Sequence, residues 1–194
     1  MKIISFYTGH YEWDAEQLKK SMNKLGITNY DVEYRDGVGS WESNTQMKCN
    51  FILEKLKEND SVVWTDADSR VREIPSFFDT IETDVGFYFL PAECANDFKL
   101  PDHSILKSPI SYLQSGTMFF RNTKSTINLL HKWNELNSLD NRQWDQWTLQ
   151  VALAQSDVTI TELPESYVWV DGVNSGSPVI EHLQASRKFK AKIR

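Results

Sequence analysis

Cysteine is scarce. Cys49 and Cys94 are the only two, 45 positions apart and outside any C-x-x-C spacing, which excludes a disulfide framework and a cysteine zinc cluster. Long apolar runs are missing too: Met1 to Tyr7 is apolar for too short a span to be a secretory leader, and nothing later approaches the about 18 apolar residues of a membrane-spanning helix. The expectation is a cytoplasmic protein with reduced thiols and no membrane-spanning segment. Positive charge is in deficit, with 21 Lys and Arg against 27 Asp and Glu and a net charge of −6. That balance argues against a broad nucleic-acid surface, which neutralises phosphates with clustered cations. The exception is local, since residues 187–194 carry five positive charges and no negative one. Internal repeats, low-complexity tracts and interdomain linkers are also absent.

What is present is an alternation. At 194 residues, against roughly 150 per domain, a single domain over 1–194 is expected. Lys2 to Thr8 is a β-prone run, followed by an amphipathic stretch with Leu18, Met22 and Leu25 on one face that closes at Gly26. Tyr30 to Arg35 alternates as a strand and breaks at Asp36-Gly37. Ser43 or Asn44 then caps a helix holding Met47, Phe51, Ile52, Leu53 and Leu56. Ser61 to Thr65 is a short continuous apolar run, the pattern of a strand buried on both faces. Further strands are predicted at Val85 to Leu90, Tyr112 to Asn122, Val158 to Leu163, Tyr167 to Val170 and Val179 to Glu181, with helices over Ser125 to Leu136 and Gln143 to Ala154. A long loop joins Pro91 to Pro109. Strands alternating with helices imply an α/β fold, a mixed, mostly parallel sheet with helices on both faces.

In such sheets ligands collect beyond the carboxyl ends of the strands, where loops diverge and helix N-termini point at anions. Asp66 and Asp68 stand at such an end. Two carboxylates one residue apart repel each other unless a cation or hydrogen bonds offset the charge. Magnesium or manganese does so while taking phosphate oxygens as further ligands, which makes the pair half of a site for a diphosphate. The plainer alternative is a turn in which one Asp forms an Asx motif and the other pairs with Arg70 or Arg72.

Thr65-Asp66-Ala67-Asp68-Ser69, following a buried third strand, resembles the D-x-D segment of the GT-A glycosyltransferases, whose acidic pair holds a metal on the donor diphosphate. Gln114-Ser115-Gly116 within Tyr112 to Asn122 is similar to the N-(A/S)-G strand of the retaining family that includes glycogenin and bacterial lipopolysaccharide galactosyltransferases, with Gln114 in place of the usual Asn. Asp145-Gln146-Trp147 resembles that family's D-Q-D segment, Trp147 standing where the second Asp would be. Ile180 to Lys188 looks like the C-terminal block in which a His completes the metal shell and a Lys holds phosphate, although its H-x-G-x-x-K pattern is not intact. The likeness runs over nearly the whole chain, and order and spacing carry it.

The resemblance implies a single GT-A (Rossmann-like) domain, with a nucleotide-binding part over about 1–110 and an acceptor part over about 111–194. It implies Mn2+ or Mg2+ held by Asp66, Asp68 and His182, and a nucleotide-diphosphate sugar as donor, a UDP-sugar favoured. The residues agree. His182 offers a neutral imidazole nitrogen; Arg187 and Lys188 offer cations to a departing diphosphate. Tyr7, Thr8 and Asp36 are placed after the first two strands to hold a nucleoside, and Gln114 joins them as a donor residue. Lys48, one turn into the second helix, is placed to reach phosphate or the acidic pair. Asp145 and Gln146 are the catalytic candidates: Asp145 deprotonates the acceptor in an inverting transfer, and it or Gln146 braces the charge on the sugar ring in a retaining one. Retention is favoured by the likeness. The acceptor is a hydroxyl on a glycan, a lipid-linked sugar, a protein or a modified nucleic-acid base. Trp41 is placed either to cover the base or to cap the core; of the seven tryptophans, Trp133, Trp144, Trp147 and Trp169 among them, some are candidates to stack on sugar faces and most are read as packing, while His10, His103 and His131 are read as structural.

Rival readings are weaker. A haloacid-dehalogenase-type phosphatase shares the D-x-D after a strand, but carries it on the first strand and needs a later acidic pair missing here. A sugar-phosphate nucleotidylyltransferase needs a glycine- and arginine-rich first loop, which Tyr7-Thr8-Gly9-His10 is not. A non-catalytic nucleotide-sugar or carbohydrate-binding module stays open.

Overall fold

A computed structural model of the chain describes residues 1–90, 98–99, 105–106, 112–139 and 142–186. Strand β1 (Lys2–Tyr7) leads through a short 3-10 turn into helix α1 (Glu12–Lys24). Ala15, Leu18 and Met22 repeat at helical spacing and are buried. Gly26 ends that helix in a left-handed conformation (φ 74°), its amide donating to the Asn23 carbonyl and the Ile27 amide to the Met22 carbonyl. This double bond pattern satisfies the last carbonyls of the helix.

After β2 (Tyr30–Tyr34) the chain forms α2 (Trp41–Gln46) and α3 (Lys48–Leu56). The expected cap is corrected here: Ser40, not Ser43 or Asn44, caps the helix, its hydroxyl accepting from the Ser43 amide at 3.2 Å. Asn44 instead accepts from the Val38 amide and ties down the preceding loop. Next come β3 (Ser61–Thr65), β4 (Ser69–Val71), β5 (Val85–Leu90), the short pair β6 (Phe98–Lys99) and β7 (Ile105–Leu106), and the long β8 (Tyr112–Arg121). Helices α4 (Lys124–Leu139) and α5 (Asp145–Ala154) precede β9 (Ile160–Glu162) and β10 (Ile180–His182). The strand expected at Tyr167 to Val170 is a 3-10 turn over Glu165–Tyr167 followed by one bridge from Trp169 to Glu181.

The main sheet has the order β2-β1-β3-β8-β5-β9. β1 pairs parallel with β2 and β3, and β5 parallel with β9, while β8 runs antiparallel to both neighbours. β4 and β10 form a separate antiparallel pair. Alternation along the central strands divides the core: Ile4, Phe6, Val62, Trp64, Met118 and Phe120 pack under α3, α4 and α5. Ile3, Val63 and Phe119 face α1, Phe78, Tyr167 and the β4–β10 pair. Both faces are covered, as the continuous apolar strands require.

Candidate active site

The site begins where β3 ends. The Ser69 amide donates to the Asp66 carbonyl at 2.9 Å, so Asp66 and Asp68 share one tight turn into β4. Pairing of β4 with β10 sets Ser69 opposite His182. The Leu183 amide donates to the Asp68 carbonyl (3.3 Å) and the Ala185 amide to Asp68 Oδ2 (2.7 Å). These bonds bring one ligand atom from each of Asp66, Asp68 and His182 within 4.8 Å of one another. The imidazole is fixed from behind: Nε2 shares a 2.8 Å hydrogen bond with the Thr117 hydroxyl, leaving one ring nitrogen to ligate. The ring lies against Gly116, where a β-carbon would come within 2.8 Å of His182 Cε1.

The chemistry of this set fits a divalent cation. His182 is buried, and burial pushes it down to about 4, so it is a neutral ligand at ordinary pH. Burial and the adjacent Asp66 charge push the Asp68 carboxyl up to about 6. Two oxygens and an imidazole nitrogen are donors that manganese accepts readily. The plainer turn reading is not what forms, because Arg70 pairs with Asp14 at 3.1 Å and Arg72 with Glu181.

A second charge cluster adjoins it. Lys48 Nζ lies 2.9 Å from Asp66 Oδ1 and 2.9 Å from Asp145 Oδ2. Burial alone would lower the pKa of this ammonium; Asp145 and Asp66 outweigh it and hold the pKa above the usual lysine value. Asp66 Oδ1 also accepts from the Trp64 indole at 3.1 Å. Asp145, buried at the start of α5, has its backbone carbonyl held by the Trp133 indole at 2.9 Å. Gln146 Oε1 accepts from the Ser115 amide at 3.2 Å.

All of this opens on one cavity of about 770 Å³, ample for a small-molecule ligand. Of the sequence-predicted residues, Tyr7, Thr8, Lys48, Asp66, Asp68, Gln114, Asp145, Gln146 and His182 line it. Asp36 does not; it is exposed beside Gly37 and accepts a hydrogen bond from the Tyr34 hydroxyl. Arg187 and Lys188 lie outside the described residues, as does His103. Reading the sequence missed Tyr11, His10 and Gln184, all on the cavity wall. Tyr11 sits close enough to Asp68 that burial, helped by that charge, pushes its phenol up to about 12. Trp41 and Trp144 meet edge to face at 6.3 Å on the same wall.

A mostly parallel sheet with an Asp-x-Asp turn beyond its third strand and a histidine returned to it from the last defines the class of GT-A nucleotide-sugar enzymes. The sequence matches the profile of nucleotide-diphospho-sugar transferases over residues 14–193, and the chain belongs to that family. It is therefore a nucleotide-sugar-dependent glycosyltransferase. Among solved structures it is similar to a glycosyltransferase involved in glycosylation of the major capsid of PBCV-1 (TM-score 0.64, 11% identity, 100% of each chain). It is also similar to the galactosyltransferase LgtC with donor and acceptor sugar analogs (0.57, 15%, 95% of this chain and 87% of that one). The glycosyltransferase GlyE of Streptococcus pneumoniae matches as well (0.63, 12%, 93% and 53%). No curated protein matches in sequence. At such identities the likenesses speak for the fold.

Proposed function

We propose that this chain transfers a sugar, with retention, from a nucleotide-diphosphate sugar to a hydroxyl acceptor, using a divalent metal at Asp66, Asp68 and His182. The observation that carries this is the meeting of that three-ligand set with the Lys48–Asp145 pair in one cavity. A cation bound there would neutralise the donor diphosphate and so favour its departure. Tyr7 and Thr8, at the end of β1, hold the nucleoside, with Tyr34 edge to face against Tyr7 at 5.7 Å. Lys48 supplies a fixed positive charge beside the diphosphate. Asp145 already sets its charge against Lys48, which suits it to bracing positive charge on the sugar ring better than to taking a proton from the acceptor. Gln146, its carbonyl oxygen held by Ser115, presents its amide group to the same region.

UDP-sugars head the donors. A glycan hydroxyl is the acceptor the reading favours. The test is incubation with a panel of UDP-, GDP- and CMP-sugars plus Mn2+, following released nucleotide. Asp68→Ala should lower turnover by at least about a hundredfold with the circular dichroism unchanged. Nucleotide binding without hydrolysis or transfer of any donor would leave a binding module instead.

A further inference from the structure

Among the described residues, Gln184 is the only one besides glycine with a positive φ, at 51°. That region is costly for any residue bearing a β-carbon, and such strain persists only where surrounding bonds impose it. Here both bonds come from Asp68: its carbonyl accepts the amide before Gln184 and its carboxylate the amide after it. The turn itself has no need of glutamine, since glycine would take the same backbone without strain. The half-buried side chain lines the cavity beside Asp68 and His182, and its amide makes no hydrogen bond among the described residues.

An amide with two donors, held under strain one residue from the Asp68 clamp, has an evident counterpart in the anion that the proposed metal would hold. We infer that Gln184 is a donor-binding residue whose side-chain amide hydrogen-bonds the diphosphate of the nucleotide sugar, kept in reach by the left-handed turn that Asp68 clamps. The inference rests on the metal and diphosphate reading above.

The test uses Mn2+ with inorganic pyrophosphate, which needs no knowledge of base or sugar, in calorimetric titrations of the wild type, Gln184→Gly and Gln184→Ala. Both variants should bind pyrophosphate about five- to tenfold more weakly while their affinity for Mn2+ alone stays unchanged. Gln184→Gly should also raise the melting temperature of the metal-free protein by about 2–4 °C, as relief of strain requires. Pyrophosphate affinity equal to wild type in either variant overturns the inference, because the residue would then be shaping the backbone alone. If Gln184→Ala folds poorly, Gln184→Asn, which tolerates the left-handed region but falls short in reach, makes the same comparison against Gln184→Gly. A wild type that takes up no pyrophosphate with Mn2+ sinks the diphosphate reading itself, an outcome distinct from variants that match a binding wild type.

Discussion

Gly116 is the position where one atom decides the site. A methyl group there would sit 2.8 Å from His182 Cε1, so Gly116→Ala must displace the imidazole, because the glycine lies in β8 and its backbone cannot move far. The expected outcome is Mn2+ affinity lower by about 10–100-fold with the fold retained, read by calorimetry and circular dichroism. The same site sets a pH dependence. Below about 6 the Asp68 carboxyl holds a proton that the cation must displace, so Mn2+ affinity should fall roughly tenfold per unit beneath that pH and level off above it. His182, neutral down to about 4, adds nothing to that slope. In the metal-free protein the two groups act oppositely on stability. Asp68 takes its proton more readily folded, so its contribution is lost as pH rises from 3.8 through about 6; His182 resists protonation when folded, so its contribution is lost as pH falls from 6.5 through about 4. Asp66 and Asp68 were placed on the cavity from sequence because paired charge at a strand end stands out, and Lys48 because it falls in the helix that follows the second strand-end loop. Gln184 was not, since nothing in a run of residues reveals a left-handed backbone held by a partner more than a hundred positions away.

Helix α3 owes its placement to its first residue. Lys48 opens it and ties the end of β3 to the start of α5 through two carboxylates, with its side chain and that of Asp145 6% and 4% exposed. Lys48→Met should therefore destabilise the protein by about 3–5 kcal/mol in denaturant titration, because it strands the buried Asp145 charge. Adding Asp145→Asn should recover much of that loss, which distinguishes stranded charge from poor packing. Around this tie, Thr148 donates to Asn137 Oδ1, and Asn137 donates to the Gln46 carbonyl at 3.3 Å. The helices α1, α4 and α5 were readable from apolar periodicity. The break at Met47, the three-residue β4 and its antiparallel pairing with β10 were not, because so short a strand carries too little pattern and pairs with a distant partner, whereas β10 itself was expected at Val179 to Glu181.

At the scale of the molecule, ligand binding and folding share one equilibrium. A cation and nucleotide bound as proposed would bridge β3, β10 and the strand ends, with no comparable site in the unfolded chain. At about a hundred times its dissociation constant, a UDP-sugar with Mn2+ should add about 2.7 kcal/mol, a rise of roughly 5–11 °C in melting temperature. Asp66→Ala should abolish the shift. Sheet order was only partly readable: alternation announced an α/β protein, but an antiparallel β8 between β3 and β5 pairs segments distant in the chain, which composition does not reveal. Among the described residues no helix is long and apolar enough to cross a membrane.

The Ala185 amide that fastens onto Asp68 comes from 117 positions downstream. During synthesis the aspartates therefore emerge long before the imidazole beside them in the folded chain, and Asp66, Asp68 and His182 come together only once the closing strand has paired with β4.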